Sequence, residues 1–178
     1  TGVPRRTLCG VENLVRVVRA PEGAAPGPPV LVLIWTLDRS GFLAAHGSLL
    51  ASVEALAASS TRRRVVLRVL EVQFEALISG TPLGAFYGAR GRDLGTYDRF
   101  NRVNALRLAI VRRYGGMYAD LDIFFARDPT HLDDFFALQT LNTNRESLNV
   151  NSCPFALRAP AHPFTDEAMA DFIANYNG

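Results

Sequence analysis

An apolar strand, an amphipathic helix and a second apolar strand follow one another after residue 29. Residues 30–35 (VLVLIW) form a continuous run rich in β-branched side chains, typical of a strand covered on both faces. Apolar residues recur at helical spacing over residues 43–58, and residues 64–70 (RVVLRVL) indicate the second strand. This order predicts two parallel strands with a helix packed against them.

The second half of the chain continues the alternation. Residues 79–98 hold five glycines and are expected to be rich in loops. A helix is predicted over residues 101–113, ended by Gly115 or Gly116 in the capping role of glycine. Residues 117–125 (MYADLDIFF) indicate a third strand. The predicted fold is therefore α/β with a parallel sheet, in which ligands bind beyond the carboxyl ends of the strands.

The two ends of the chain are expected to differ in role. Residues 1–29 are predicted to be peripheral, because PEGAAPGPP is typical of a linker, and the domain is placed at residues 30–178. A closing helix is predicted over residues 164–176, with Thr165 as its N-cap. The predicted buried stripe of this helix consists of Met169, Phe172, Ile173 and Tyr176.

Composition narrows the range of partners. The 178 residues carry a formal net charge of +2, which does not favour nucleic acid or an anionic membrane as the main partner. No apolar run approaches the roughly 18 residues that span a bilayer, so membrane association is expected only through a segment outside this chain. Cys9 and Cys153 make neither a disulfide framework nor a zinc site, and whether they form one bridge stays open.

Two aspartates interrupt the third predicted strand. On a strand, Asp120 and Asp122 would share one face about 6.6 Å apart and repel each other by roughly 2 kcal/mol. Tyr118 and Phe124 would lie on that face and partly exclude water, while the opposite face is wholly apolar. A chance Asp-x-Asp on a half-exposed strand is the simpler alternative. The apolar context favours a divalent cation, because hard cations prefer carboxylate oxygens.

Other metal-binding patterns fit less well. An EF-hand loop needs further oxygen ligands, a glycine and a glutamate at fixed positions, whereas Asp122 is followed by IFF. Phosphatases that resemble haloacid dehalogenase also place Asp-x-Asp after a hydrophobic strand. They have a small Thr or Val two positions further on, where this chain has Phe124. Such a phosphatase is the alternative function.

Residues 103–122 carry a more specific pattern, VNALRLAIVRRYGGMYADLD. It resembles the DXD-containing sugar-binding region of Golgi-type glycosyltransferases, the family of α-1,4-galactosyltransferases, α-1,4-N-acetylglucosaminyltransferases and initiating α-1,6-mannosyltransferases. The residues that match the family pattern in register are Arg107, Gly115, Gly116, Tyr118, Asp120 and Asp122. Weaker similarity covers residues 30–178, through VLVLIWTLDRS, LNVNSCPFAL and PFTDEAMADFIANYNG.

The resemblance implies a GT-A (Rossmann-like) fold and a nucleotide-sugar donor such as UDP-galactose or UDP-N-acetylglucosamine, with GDP-mannose as a further option. Manganese or magnesium would join the aspartates to the diphosphate, with Asp122 as the more direct ligand and Asp120 contacting water, ribose or metal. The reaction implied is retaining transfer of a hexose or N-acetylhexosamine to a glycan, glycoprotein or glycolipid. The location implied is the Golgi lumen, with a membrane anchor in the full-length protein.

Further donor contacts are implied by the same resemblance. The residues expected to make them are Trp35, Thr36, Asn104, Arg107, Tyr118, Asp120 and Asn151. Arg107 would hold Asp120 or a donor phosphate, or would simply be solvated on its helix. Trp35 fits a core role equally well, and Asn149 is the alternative to Asn151. Asn104 stands where the family has an aspartate, so it offers a hydrogen bond but no charge.

Two features bear on catalysis. No nucleophile can be named, because His46, His131 and His162 are scattered in contexts that suggest packing or surface roles. Members of the family continue beyond the point that matches NYNG, so the domain is expected to be incomplete at its C-terminus. A nucleotide- or glycan-binding domain without turnover therefore stands beside transferase and phosphatase as a hypothesis.

Overall fold

The computed structural model describes residues 8–18, 28–59, 64–90, 95–140 and 148–176. The chain divides into two compact units, and each of them is built from two segments. Unit 1 consists of Thr1–Val72 and Asp120–His131, and unit 2 consists of Gln73–Ala119 and Leu132–Gly178. The chain therefore passes from unit 2 back into unit 1 between Ala119 and Asp120.

Unit 1 contains two helices and two strands in its first segment. They are α1 (Cys9–Val17), β1 (Val30–Thr36), α2 (Arg39–Ala58) and β2 (Val65–Glu71). The predicted parallel pairing is confirmed, with the register running from Val30 opposite Val65 to Thr36 opposite Glu71. The prediction that β1 is covered on both faces is wrong, because Leu31 on this strand is 59 % exposed. The mixed helix and strand content confirms the α/β class.

The N-terminal helix corrects the prediction that residues 1–29 are peripheral. Val11 and Val15, four residues apart on one face of α1, are 5 % and 3 % exposed and belong to the same apolar core as β1, α2 and β2. Leu8 and Val18 at the two helix ends are also buried in that core. The proposed linker, PEGAAPGPP, comprises residues 21–29, of which residues 21–27 lie outside the described residues.

Helix α2 begins four residues earlier than predicted because Asp38 caps it. The Asp38 carboxylate accepts hydrogen bonds from the Gly41 amide and the Ser40 hydroxyl, both at 2.9 Å. By length and composition α2 also meets the criteria for a membrane span, contrary to the expectation from the sequence. Its buried positions nevertheless recur at helical spacing, as in a core helix: Phe42, His46, Leu50, Val53 and Ala57.

Unit 2 combines four helices with a small sheet. Its elements are α3 (Phe74–Ile78), α4 (Pro82–Arg90), α5 (Asp98–Tyr114), β3 (Gly116–Tyr118), β4 (Phe135–Thr140), β5 (Leu148–Leu157) and α6 (Pro163–Ala174). Helix α4 occupies part of the stretch that was expected to be loops. The strand order is β3-β5-β4 and both pairings are antiparallel, so the prediction of a third parallel strand is wrong.

An aromatic stack on β5 forms the centre of the sheet in unit 2. Phe155 is fully buried, and its ring lies 5.2 Å from Phe136 and 6.1 Å from Tyr118, centroid to centroid. The closing helix α6 is capped by His162, whose Nδ1 accepts from the Phe164 amide at 3.2 Å. The predicted cap, Thr165, is instead a buried first-turn residue whose hydroxyl donates to the His162 carbonyl.

The Asp38 cap makes stability depend on pH with a defined sign. Its hydrogen bond from Gly41, and then that from Ser40, lower the pKa of Asp38 below 3.8. A lowered pKa in the folded state contributes stability above the unfolded value, and this contribution is lost as pH falls through the folded value. We expect Asp38→Ala to lower the melting temperature near pH 7, and the difference from wild type to shrink as pH falls below 3.8. Thermal unfolding followed by circular dichroism measures both effects; a pH-independent difference would contradict them.

Candidate donor and metal site

The two aspartates lie in a turn and not on a strand. Strand β3 ends at Tyr118, and residues 121 and 122 form a turn in which the Ile123 amide donates to the Asp120 carbonyl at 3.1 Å. The predicted strand over residues 117–125 is therefore wrong beyond Tyr118. The separation of about 6.6 Å expected for Asp120 and Asp122 on a strand therefore does not apply. The pairing of β3 with β5 stops at Tyr118 opposite Phe155, and the next peptide groups bond locally.

The alternation of apolar and polar residues nevertheless has a structural basis. Leu121 packs against the core of unit 1, while its neighbour Asp122 is exposed and Asp120 is half-buried. Phe124 is 62 % exposed, so the prediction that it shields the aspartates from water is wrong. Leu121 thus anchors the turn and leaves the Asp122 carboxylate open to solvent and ligands.

The donor set of this turn fits a hard divalent cation that is shared with a phosphate ligand. Asp120 and Asp122 provide carboxylate oxygens, the ligands that Mg²⁺ and Mn²⁺ prefer. Among the described residues, no group of three or more His, Cys, Asp or Glu side chains gathers as a ready-made metal cage. Magnesium commonly binds through one or two carboxylates together with water and substrate phosphates. The pair therefore suits a cation that arrives with a diphosphate.

The remaining motif residues come together in unit 2, on α5 and the strand that follows it. The Arg107 guanidinium lies 5.4 Å from the centroid of the Tyr118 ring, within the range of a cation–π contact. Both side chains are half-buried, as is Asn104 about one turn earlier on α5. The structure thus brings two residues of the motif, Arg107 and Tyr118, into contact. A role for either of them in binding a donor remains a prediction.

Two glycines join α5 to β3. Gly115 is the C-cap residue, and its amide donates to the Val111 carbonyl at 2.8 Å. Its φ of 66° and ψ of −167° lie in a region that is essentially restricted to glycine, and not in the left-handed helical conformation of a usual cap. Gly116 follows with a φ of 88°. These angles turn the chain from helix directly into strand, and this explains the Gly-Gly pair of the motif.

The residues predicted on β1 lie at its carboxyl end. Trp35 and Thr36 are both half-buried. The Thr36 hydroxyl donates to the Asp38 carbonyl at 3.2 Å and lies 3.3 Å from the Asp38 amide, so it also organises the start of α2. Across the ladder, the Glu71 carboxylate accepts from the Arg39 amide at 3.2 Å. This end of the sheet therefore carries polar groups, as expected for parallel strands.

The last predicted contact is Asn151 on β5. Its Cα pairs with Ala137 of β4 just after an irregularity in the register between Phe136 and Ala137. Asn149, the alternative, pairs with Gln139. The side chains of both asparagines lie outside the described part of the structure, so their role stays a prediction.

The three histidines occupy separate positions in the fold. His46 is buried in α2, with its ring 5.0 Å from Phe42, and His131 is exposed. His162 caps α6 and lies 3.5 Å from the Asp134 carboxylate. Each position has a packing, surface or capping role, consistent with the sequence analysis.

Two residues next to the aspartate turn had no functional signal in the sequence. Gly10 of α1 lies against the carbonyls of Leu121 and Ile123, and the Asn13 side-chain oxygen accepts from the Phe125 amide at 2.7 Å. Both are separated from the turn by more than a hundred positions along the chain. Neither helix periodicity nor motif spacing could have connected them with it.

The fold and site together define an α/β protein in which a glycine-terminated helix leads, through a short strand, into a turn that carries the half-buried Asp120 and the exposed Asp122. The model of the family described as glycosyltransferase sugar-binding region containing DXD motif matches residues 64–146 of this chain. This match confirms the resemblance seen in the sequence.

Two curated proteins illustrate the relationship. Lactosylceramide 4-alpha-galactosyltransferase of Mus musculus is 27 % identical over 171 residues, which are 96 % of this chain and 42 % of that protein. Alpha-1,4-N-acetylglucosaminyltransferase of Homo sapiens is 29 % identical over 106 residues, which are 60 % of this chain and 29 % of that protein. The chain thus spans less than half the length of each relative. No solved structure matches it with significance.

The glycine pair provides a test of how the motif is built. A Cβ at Gly115 would lie 2.5 Å from the Arg158 carbonyl oxygen and 3.2 Å from the Pro160 nitrogen, whereas one at Gly116 would meet nothing within 4 Å. Gly116→Ala is expected to cost only backbone strain, about 1–3 kcal/mol. Gly115→Ala adds a steric clash and should cost more. Urea unfolding of both variants compares the two costs; equal destabilisation would show that the close contact at Gly115 is unimportant.

Proposed function

We propose that this chain forms the donor-binding part of a metal-dependent, retaining glycosyltransferase with a GT-A fold. The observation that carries the proposal is the Asp120–Asp122 turn, with Asp122 exposed and Asp120 half-buried, which follows the strand bearing Tyr118. Two carboxylates without a ready-made cage of further ligands among the described residues suit a cation delivered with a diphosphate. The family match over residues 64–146 supports this choice over other diphosphate ligands.

In the proposed site, Asp122 is the more direct ligand of Mn²⁺ or Mg²⁺, and Asp120 contacts the metal, a bound water or the donor ribose. Such a cation acts as a Lewis acid that neutralises the negative charge developing on the leaving diphosphate. The protein contributes by fixing the two carboxylates in the turn that Leu121 anchors. The exposure of Asp122 leaves room for the phosphate oxygens that complete the coordination.

Donor recognition is proposed to use residues of the motif and three residues outside it. Arg107 would pair with a donor phosphate through a charge-assisted hydrogen bond, with its guanidinium plane supported by Tyr118. Asn104, on the same helix, would hydrogen-bond the ribose or base. Trp35 and Thr36, at the carboxyl end of β1, would contact the nucleoside. Asn151 is proposed as a further donor contact.

The sugar and the acceptor are proposed from the relatives alone. Their names specify transfer of galactose and of N-acetylglucosamine, and one name specifies lactosylceramide, a glycolipid. We propose UDP-galactose or UDP-N-acetylglucosamine as the donor, with GDP-mannose as the alternative, and a glycan, glycoprotein or glycolipid as the acceptor. We also propose that the full-length protein acts in the Golgi lumen and is held there by a membrane anchor.

The phosphatase alternative has weaker support. Its pattern places Asp-x-Asp after a hydrophobic strand. Here the aspartates lie in a turn after a three-residue strand of a small antiparallel sheet. A domain that binds nucleotide or glycan without turnover would use the same site, so binding and transfer have to be measured separately.

Substitution of Asp122 tests the metal site. We expect Asp122→Asn to weaken the Mn²⁺-dependent binding of UDP on the order of 100-fold, or about 2.7 kcal/mol, because an amide is a poor ligand for a hard cation. Isothermal titration calorimetry with and without Mn²⁺ measures this directly. Glu54→Gln is the matched control, since it removes one exposed carboxylate from unit 1 outside the turn.

Two outcomes of the titration and one of a separate phosphatase assay decide between the hypotheses. Loss of metal-dependent binding in Asp122→Asn, with Glu54→Gln unchanged, supports the proposed site. Tight UDP binding by Asp122→Asn without metal would refute it. Release of inorganic phosphate from p-nitrophenyl phosphate, dependent on Mg²⁺ and on Asp120, would favour the phosphatase instead.

A further inference from the structure

Helix α1 approaches the aspartate turn at a glycine. A Cβ at Gly10 would collide with the Leu121 carbonyl oxygen and would lie 2.9 Å from the Ile123 carbonyl oxygen. These two carbonyls flank Asp122 on either side. The backbone of α1 therefore packs directly against the backbone carbonyls of the two residues next to Asp122, at a distance that only glycine permits.

One turn further along α1, Asn13 contacts the same segment. Its side-chain Oδ1 accepts a hydrogen bond from the Phe125 amide at 2.7 Å. Asn13 and Phe125 are both half-buried, so this amide would lose a partner in a poorly solvated position if the bond were removed. The carbonyls of Leu121 and Ile123 thus pack against α1, and the amide of Phe125 is hydrogen-bonded to it.

The helix that makes these contacts is itself held in place. Val11 and Val15 are buried in the core of unit 1. On α1, Val11 lies between Gly10 and Asn13, and Val15 follows Asn13. Burial of two β-branched side chains fixes the rotation of the helix about its axis. The positions of Gly10 and Asn13 relative to the turn therefore follow from the packing of the core and do not depend on the turn.

We propose that Gly10 and Asn13 are positioning residues of the metal site, and that they hold residues 121–125 in the conformation that presents the two carboxylates to a divalent cation. This inference rests on the proposed function of Asp120 and Asp122. Two carboxylates close together repel each other, and a free turn would separate them. A turn whose backbone is already fixed loses less conformational entropy when the metal and the diphosphate bind.

The inference distinguishes α1 from an ordinary core helix. A purely structural helix would affect stability but not the affinity of the site in molecules that remain folded. A positioning helix affects the order of the turn and the affinity for metal and diphosphate together. The measurements therefore have to report on the turn itself and on binding, in addition to stability.

The experiment compares variants that touch the turn with variants that do not. Gly10→Ala introduces the collision with the two carbonyls, and Asn13→Leu removes the acceptor at nearly constant volume. Asn13→Asp restores an acceptor oxygen at the same reach. Gly47→Ala is the control for adding a methyl group to a helix, because a Cβ there meets nothing within 4 Å. Val53→Ala is the control for lowering the stability of unit 1 without altering α1, because Val53 is a buried core residue of α2.

The readouts are amide hydrogen exchange of residues 120–125 and the affinity for UDP in the presence of Mn²⁺, both measured where each variant is folded. We expect faster exchange at Phe125 and about tenfold weaker Mn²⁺-dependent UDP binding in Gly10→Ala and Asn13→Leu. Asn13→Asp should recover the protection of Phe125 and most of the affinity. Gly47→Ala should match wild type, and Val53→Ala should lower the melting temperature with nearly unchanged affinity.

The outcomes separate this inference from the function on which it rests. If Asn13→Leu and Gly10→Ala bind Mn²⁺ and UDP as tightly as wild type, the positioning role is refuted and the metal site stands. The same conclusion follows if Val53→Ala weakens binding as much as they do, because the effect would then be a general loosening of the core of unit 1. If the wild-type chain shows no Mn²⁺-dependent UDP binding, the proposed function itself fails and the inference fails with it.

Discussion

The contact between α1 and the peptide groups that follow Asp120 is the interaction on which the candidate site depends. Two carboxylates in a solvent-facing turn have little reason to stay together, since each is better hydrated alone. In this protein the turn is held from its backbone side: Leu121 packs into the core, and Gly10 and Asn13 contact the alternate peptide groups. The side-chain face is thereby left open for a ligand.

The glycine-rich junction before the turn meets a different requirement. Helix α5 has to end and become a strand within two residues, and Gly115 does so with backbone angles that other residues avoid. Its close approach to the Arg158 carbonyl also leaves no space for a side chain. The strand that results presents Tyr118 beside Arg107. The spacing of the Gly-Gly pair and Tyr118 in the motif thus has a physical origin in unit 2.

Elements were predicted well where neighbouring residues determine them, and poorly where contacts distant in sequence determine them. Strands β1 and β2 and helices α2 and α5 were predicted within a few residues, because each buries a continuous or periodic apolar face. The third strand was predicted too long, because Leu121, Ile123 and Phe125 alternate as in a strand but belong to an irregular segment. Pairing between β3 and β5, forty positions apart, ends at Tyr118, and no local pattern reports where it ends.

The site was predicted unevenly for the same reason. Arg107, Gly115, Tyr118, Asp120 and Asp122 were found because they lie within sixteen residues of one another at fixed spacing. Gly10 and Asn13 were missed, since α1 was treated as peripheral and its contact with the turn spans 112 positions for Asn13 and Phe125. Phe124 was assigned to shielding the aspartates, although the turn directs it into solvent.

The central claim is that Asp120 and Asp122 bind a divalent cation together with a nucleoside diphosphate. Paramagnetic broadening of backbone amide resonances on addition of Mn²⁺ and UDP tests it most directly, because broadening falls steeply with distance from the metal. The account predicts that the amides of residues 120–125 broaden first and that this requires UDP. Broadening that begins at another acidic segment, such as that around Asp133 and Asp134, would contradict it.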